Sequence, residues 1–252
     1  MVIGHPQRSS GPTISGPNWL RATITDAEPL TDRSRSLRLT VPGWTASLPG
    51  QHVDVRLTAP DGYQAARSYS LATSGPGEDL ELGIDRLPDG EVSPYLVDIA
   101  QIGDSLEVRG PLGGWFVWRP DDPRPIQMIA GGSGVVPFIA MIRARAAAPD
   151  GTPFRLLYSV GSPATSMYRS YLENPPAGVT VDWIYSRTAP AGTTRPAGRL
   201  TKLDLEKCAV PVHDGPLNYI CGSTGFAEHV SQLLIDQGHP ASMIKIERYG
   251  GN

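Results

Sequence analysis

Between Trp19 and about Val117 the apolar residues come in short runs broken by turn residues, and within several runs they alternate. Successive side chains of a strand point to opposite sides, so Val53, Val55 and Leu57 share one face, and Leu80, Leu82 and Ile84 share another. This pattern predicts strands over Leu20–Thr25, Ser36–Val41, His52–Leu57, Arg67–Ala72, Leu80–Asp85 and Ser105–Val108. Pro42-Gly43, Pro49-Gly50, Pro60-Asp61-Gly62 and Pro88-Asp89-Gly90 separate them with turn chemistry. Many short strands at this spacing predict a closed antiparallel barrel or a sandwich.

The segment Arg119-Pro120-Asp121-Asp122-Pro123-Arg124-Pro125 is stiff and polar and reads as a linker at a domain boundary. Beyond it the rhythm changes. Apolar runs over Ile126–Ala130, Phe154–Ser159, Val179–Tyr185, Leu217–Cys221 and Met243–Glu247 predict strands, and Phe138–Ala147, Ser166–Leu172 and Phe226–Gln237 predict helices between them. Strands alternating with helices predict a parallel sheet in an α/β domain. The expected division is therefore a tail over residues 1–18, a β domain over residues 19–118 and an α/β domain over residues 126–252.

Composition narrows the class. The 252 residues are 40% hydrophobic and 19% charged, as in a soluble globular protein, and the net charge of −3 with no basic stripe argues against nucleic-acid binding. Cys208 and Cys221 are too few for a disulfide framework or for the four ligands of an iron–sulfur cluster, and no metal site is expected. Residues 1–17 are polar and rich in Gly, Pro and Ser, and read as a disordered lead-in rather than a signal peptide or anchor. No stretch approaches the roughly 20 apolar residues of a spanning helix, so no membrane insertion and a cytoplasmic location are expected.

Gly131-Gly132-Ser133-Gly134-Val135-Val136-Pro137 follows an apolar strand and precedes a helix. Free N–H groups and the positive end of the helix dipole suit a phosphate there, and Pro137 is at home in a first helical turn. An ordinary strand-to-helix turn would read the same, and the spacing departs from G-x-G-x-x-G. In Arg67-Ser68-Tyr69-Ser70, Tyr69 could lie against a ring system and Arg67 could grip a phosphate, or the strand could simply be exposed. Gly90-Glu91-Val92-Ser93 could cradle a second phosphate, with Ser93 equally able to cap a short helix. Cys221-Gly222 ends a predicted parallel strand, where open α/β sheets bind ligands, although a buried structural cysteine fits as well. Glu247-Arg248-Tyr249 closes the last strand.

In their order, these landmarks resemble the ferredoxin–NADP(H) reductase superfamily, flavin-dependent oxidoreductases here without an iron–sulfur domain. The resemblance runs from about Trp19 to Gly251. It rests on Arg67–Ser70 as the flavin-binding Arg-x-Tyr-Ser, Gly90–Ser93 as the flavin-phosphate turn, and Gly103-Asp104 with Gly110–Gly113 as the segment closing the barrel. It also rests on Gly131–Pro137, Cys221-Gly222 and Glu247-x-Tyr249. The fold it implies is a six-stranded antiparallel Greek-key flavin-binding barrel followed by a five-stranded parallel nicotinamide-dinucleotide-binding domain.

The resemblance also implies roles. Tyr69 would stack on the isoalloxazine, Ser70 would bond near its N5, and Arg67, with Ser68 beside it, would hold flavin phosphate. Ile84 and Arg86, Gly90, Val92 and Ser93 would contact the flavin. Gly131, Gly132, Ser133, Gly134 and Pro137 would form the dinucleotide turn. Ser133 and Cys221 would sit beside the nicotinamide at the hydride-transfer junction, Gly222 would contact a cofactor, Glu247 would assist proton or electron exchange at the flavin edge, and Tyr249 would shield the flavin. Tyr69, Ser70, Cys221 and Glu247 are the expected catalytic residues.

FAD is expected over FMN. Ser186-Arg187 resembles the pair gripping a 2′-phosphate, with Arg195 and Arg199 as possible helpers, so NADP(H) is favoured and NAD(H) possible. Electrons would pass singly to a separate ferredoxin, flavodoxin, haem or molybdenum protein, or oxygenase component. The alternatives are direct reduction of free flavin, ferric complexes or quinones, and a role as the electron-transfer subunit of a larger enzyme. A monomer or weak dimer is expected.

Overall fold

The computed structural model describes residues 18–148 and 152–249. The expected lead-in over residues 1–17 and the Gly250–Asn252 end lie outside the described residues.

The first half forms β1 (Leu20–Thr31), β2 (Ser34–Thr40), β3 (His52–Thr58), β4 (Gln64–Ser70), β5 (Asp79–Asp85) and β6 (Ser105–Leu112). They make one antiparallel sheet of order β4-β3-β6-β1-β2-β5. A bridge between Leu71 and Leu82 joins its two edges and closes it into a barrel. Leu37, Leu39, Val53, Val55, Leu82, Ile84 and Val108 fill the interior, each fully buried. The alternation of Leu80, Leu82 and Ile84 points them inward, as period-2 geometry requires.

The opposite face of β5 is also covered, which the pattern alone does not reveal. Glu81 and Gly83 are buried there against the second half of the chain. That half forms β7 (Ile126–Gly131), β8 (Phe154–Val160), β9 (Val179–Tyr185), β10 (Leu217–Ser223) and β11 (Ile244–Tyr249), a parallel sheet of order β9-β8-β7-β10-β11. Helices α1 (Val136–Ala146), α2 (Arg169–Glu173), α3 (Lys202–Cys208) and α4 (Thr224–Asp236) accompany it. Every residue of the central β7 is buried, as expected of a strand covered on both faces.

Two expectations are revised. The continuous helix expected over Ser166–Leu172 is instead a 3₁₀ turn (Pro163–Thr165), an extended Ser166 and the short α2. Tyr168 interrupts it in the left-handed region at φ 54°, and its buried phenol donates to Glu81 Oε1 at 3.1 Å across the domain junction. Helix α3 was not expected, although Thr201 and Asp204 form a reciprocal capping box at its start. Around the linker, Phe116 and Trp118 already belong to the core of the parallel-sheet half. Trp118 meets Phe154 edge-on with ring centroids 5.0 Å apart.

Glu81 is the polar centre of the junction. It accepts from Arg143 of α1 at 2.8 Å, from Tyr168, and from Ser36 at 3.1 Å. Gly83 permits the close approach: a Cβ there would lie 2.7 Å from Val136 Cγ2 and 2.9 Å from the Tyr168 hydroxyl. Among the described residues no helix is long and apolar enough to cross a membrane.

Candidate functional site

Two cavities share Tyr249, one lined from both halves and one from the parallel-sheet half alone. The first, of about 240 Å³, lies against β4. Arg67, Ser68, Tyr69 and Ser70 line it from that strand, and Gly90, Val92 and Ser93 from the turn after β5. Ser133, Val136 and Tyr249 close it from the parallel-sheet half. Tyr69 packs on the barrel core, and burial pushes its phenol well above the ordinary tyrosine range against the pull of the Arg67 charge. Arg67 is exposed, its Nη1 donates to the Ala66 carbonyl at 2.7 Å, and no carboxylate pairs with it among the described residues. Its cationic fork is thus available to an anion.

Ser68 donates to Asp54 Oδ1 at 2.6 Å, and Asp54 is also held by Arg109 at 2.6 Å. Burial would raise the Asp54 carboxyl, but these bonds and the Arg109 charge outweigh it and lower it overall. The proposed helix-capping role of Ser93 is not what the fold uses. Ser93 lies inside the helical turn Val92–Pro94, where its hydroxyl accepts the Leu87 N–H at 3.1 Å. Ile84 and Arg86 are not on the cavity wall. Ile84 points into the barrel core, Arg86 pairs with Asp98 at 2.6 Å, and Gly83 and Asp85 line the wall instead.

The second cavity, of about 470 Å³, sits over the carboxyl ends of β7, β8 and β10. The strand order reverses between β7 and β10, and such a switch point opens a crevice in parallel sheets. Gly131 and Gly132 line it, with Ser186 and Arg187 after β9, Arg199, and Ser223, Phe226 and His229 around the start of α4. The amino end of α4 therefore borders it with free N–H groups.

The glycines of the turn serve protein packing as much as ligand approach. A Cβ on Gly131 would lie 2.7 Å from the Phe226 ring, and one on Gly222 would lie 2.5 Å from it. One on Gly134 would lie 2.2 Å from the Cys221 carbonyl oxygen. Pro137 falls in the first turn of α1. Gly134, Pro137 and Gly222 thus shape the turn from behind and do not line the cavity. Arg195 is withdrawn as a phosphate ligand: its guanidinium grips Asp204 at 2.6 and 2.8 Å and donates to the Arg199 carbonyl. That leaves Arg187 and Arg199 at the cavity.

Tyr249 lines both cavities. Its hydroxyl donates to the Gly131 carbonyl at 2.5 Å, and burial raises its phenol. Cys221 and Glu247 are register partners on β10 and β11. The Cys221 thiol is buried, lines neither cavity, and is pushed up by burial and by the Glu247 charge. Glu247 lies two residues from Tyr249 on the same face of β11, and its Oε1 stands 3.3 Å from His52 Nδ1 of the barrel. Sequence reasoning passed over His52, Phe226 and His229. Each sits inside an apparently ordinary strand or helix; the packing of α4 on the parallel sheet places Phe226 and His229 at the second cavity, and the packing of the two halves brings His52 to Glu247.

The domain family described as "Oxidoreductase FAD-binding domain" matches residues 21–117, and "Oxidoreductase NAD-binding domain" matches residues 128–232. The chain is 28% identical to the toluate 1,2-dioxygenase electron transfer component of Pseudomonas putida, over 82% of this chain and 60% of the relative. It is 31% identical to a flavohemoprotein of Pseudomonas aeruginosa, over 80% of this chain and 51% of the relative. The chain thus spans between about half and three-fifths of the length of these two relatives. Its fold matches the flavohem-like FAD/NAD-binding domain of nitric oxide dioxygenase from Vibrio cholerae, with a TM-score of 0.79 and 22% identity over 92% of this chain and 99% of that domain.

Proposed function

The chain belongs to the oxidoreductases that join a FAD-binding to an NAD-binding domain, and from that premise we propose that it takes hydride from NADPH onto FAD and passes electrons singly to a separate acceptor. The observation that carries this reading is Tyr249, one side chain forming the wall between the two cavities.

The residues present fit a flavin. The first cavity combines a half-buried aromatic (Tyr69), an unpaired-carboxylate-free guanidinium (Arg67), hydroxyls (Ser68, Ser70) and a helical turn over Gly90–Ser93. The bound flavin would supply two-electron acceptance and one-electron release. Tyr69 would support the ring, Ser70 would donate to its polar edge, and Arg67 would hold its phosphate. The nucleotide would lie along Gly131–Ser133 and the amino end of α4, with Arg187 and Arg199 on a 2′-phosphate. Tyr249 would swing aside to admit the nicotinamide and otherwise exclude water. Glu247 would hold or move a proton beside the junction. The proposed division is a barrel over residues 19–118 and a nucleotide domain over residues 126–252.

The acceptor is proposed as a small carrier or oxygenase component, in keeping with the dioxygenase relative, and the site of action as the cytoplasm. Purified chain should be yellow, release FAD on denaturation, and bleach anaerobically with NADPH. A colourless protein that takes up no added FAD would sink the reading. Comparing ferredoxin with ferricyanide and free flavin as acceptors separates a carrier reductase from a direct small-molecule reductase.

A further inference from the structure

We propose that His52 is a positioning residue for the junction, holding the Glu247 carboxylate from the barrel side. The inference rests on the functional reading above and deepens it. His52 stands on β3, beside Ser70 of β4 in register and opposite Leu112 of β6. Glu247 stands on β11, beside Cys221 of β10. The two side chains meet across the domain junction at 3.3 Å, each about three-quarters buried.

The loop after β6 encloses the imidazole. Gly113 stands at φ 83°, a conformation that favours glycine, and a Cβ there would lie 3.2 Å from both Cε1 and Nδ1 of His52, so the chain covers the ring closely. Gln51 fixes that loop, donating from Nε2 to the Gly113 carbonyl at 2.8 Å. His52 Nδ1 and Glu247 Oε2 are both fully enclosed and make no hydrogen bond within the protein. Enclosed polar atoms without partners are uncommon, and they are typical of sites where a group must turn or exchange a proton during function. A small rotation of the imidazole would convert the contact into an Nδ1–H donation to the carboxylate. That contact sets where Glu247 stands relative to Ser70 and Tyr249, which line the flavin cavity from the two sides.

The test compares His52→Leu, which removes the donor, with His52→Gln, which keeps one, in the flavin-loaded full chain. H52L is expected to slow anaerobic flavin reduction by NADPH about tenfold, as misplacement of a reacting group does. The KM for NADPH should stay within about twofold, because His52 lies outside the nucleotide cavity, and H52Q should recover most of the rate. In an E247Q background, H52L should slow reduction no further and lower the thermal midpoint no further. Additive effects in either measurement, or an H52Q as slow as H52L, would overturn the assignment. If the chain holds no flavin, the functional reading and the positioning role fall together. The melting cycle then still reports whether the two side chains touch, so that failure is told apart from a wrong pairing.

Discussion

The Tyr249 hydroxyl donates to the Gly131 carbonyl at 2.5 Å, tying the end of the last strand to the end of the central one. That bond holds Tyr249 where it lines both cavities, the proposed flavin site and the proposed nucleotide site. In the proposed reaction, passage of a nicotinamide from one to the other would require it to break. A hydrogen bond of this kind contributes about 1–2 kcal/mol with the associated ring contacts. Tyr249→Ser should therefore tighten nucleotide binding about five- to thirtyfold, and Tyr249→Phe by less. Titration calorimetry with NADP⁺ measures both, and unchanged affinity in the serine variant would remove the gate.

Arg187 and Arg199 are the guanidinium groups on the nucleotide cavity wall, Arg195 being engaged with Asp204. Charge-assisted hydrogen bonds contribute about 1.5–3 kcal/mol. Arg187→Ala should thus raise the KM for NADPH by about tenfold or more and leave that for NADH within about twofold. Equal losses with both nucleotides would argue that the residue does not read the 2′-phosphate.

Glu81 is 4% exposed and depends on Arg143 from the other half of the chain. Removing one partner of a buried pair strands the other charge. Arg143→Leu should destabilise the protein by about 2–3 kcal/mol in urea unfolding, and adding Glu81→Gln should restore at least half. Because the proposed flavin cavity lies between the same two halves, flavin retention should fall in parallel.

Asp204 links the nucleotide side to acid stability. Burial would raise its carboxyl, but hydrogen bonds from Arg195 and Thr201 with the Arg195 charge outweigh this and lower it overall. A depressed folded-state value means stability fully present above the unfolded value of about 3.9 and lost as pH falls below it. Asp204→Asn should be less stable at pH 7 and show a flatter decline below about pH 4. Thermal melts across that range decide the matter, and parallel acid limbs would refute it.

Much of this was readable from the chain. Alternation at Leu80, Leu82 and Ile84 places those side chains in the barrel, and the shift to strand–helix rhythm after Pro125 announces the parallel sheet. Period and turn chemistry are local, so they survive in one dimension. The helix that the pattern predicts over Ser166–Leu172 is broken because Tyr168 takes a left-handed conformation and reaches Glu81, a partner 87 residues away. Helix α3 carried a local signal, the Thr201–Asp204 box, that was passed over.

Strand faces and helix starts follow from neighbouring residues, so the two-part organisation and the candidate motifs Arg67–Ser70 and Gly131–Pro137 are legible along the chain. Which of those residues reach a cavity depends on packing in three dimensions. It tied Arg195 to Asp204 and set Phe226 against Gly131 and Gly222. It also brought His52 to Glu247 across the junction of the two sheets. The Arg195–Asp204 and Phe226–Gly131 contacts form within the parallel-sheet half, whereas His52 meets Glu247 only once the two halves have packed, and none of these side-chain contacts is written in the local period of the chain.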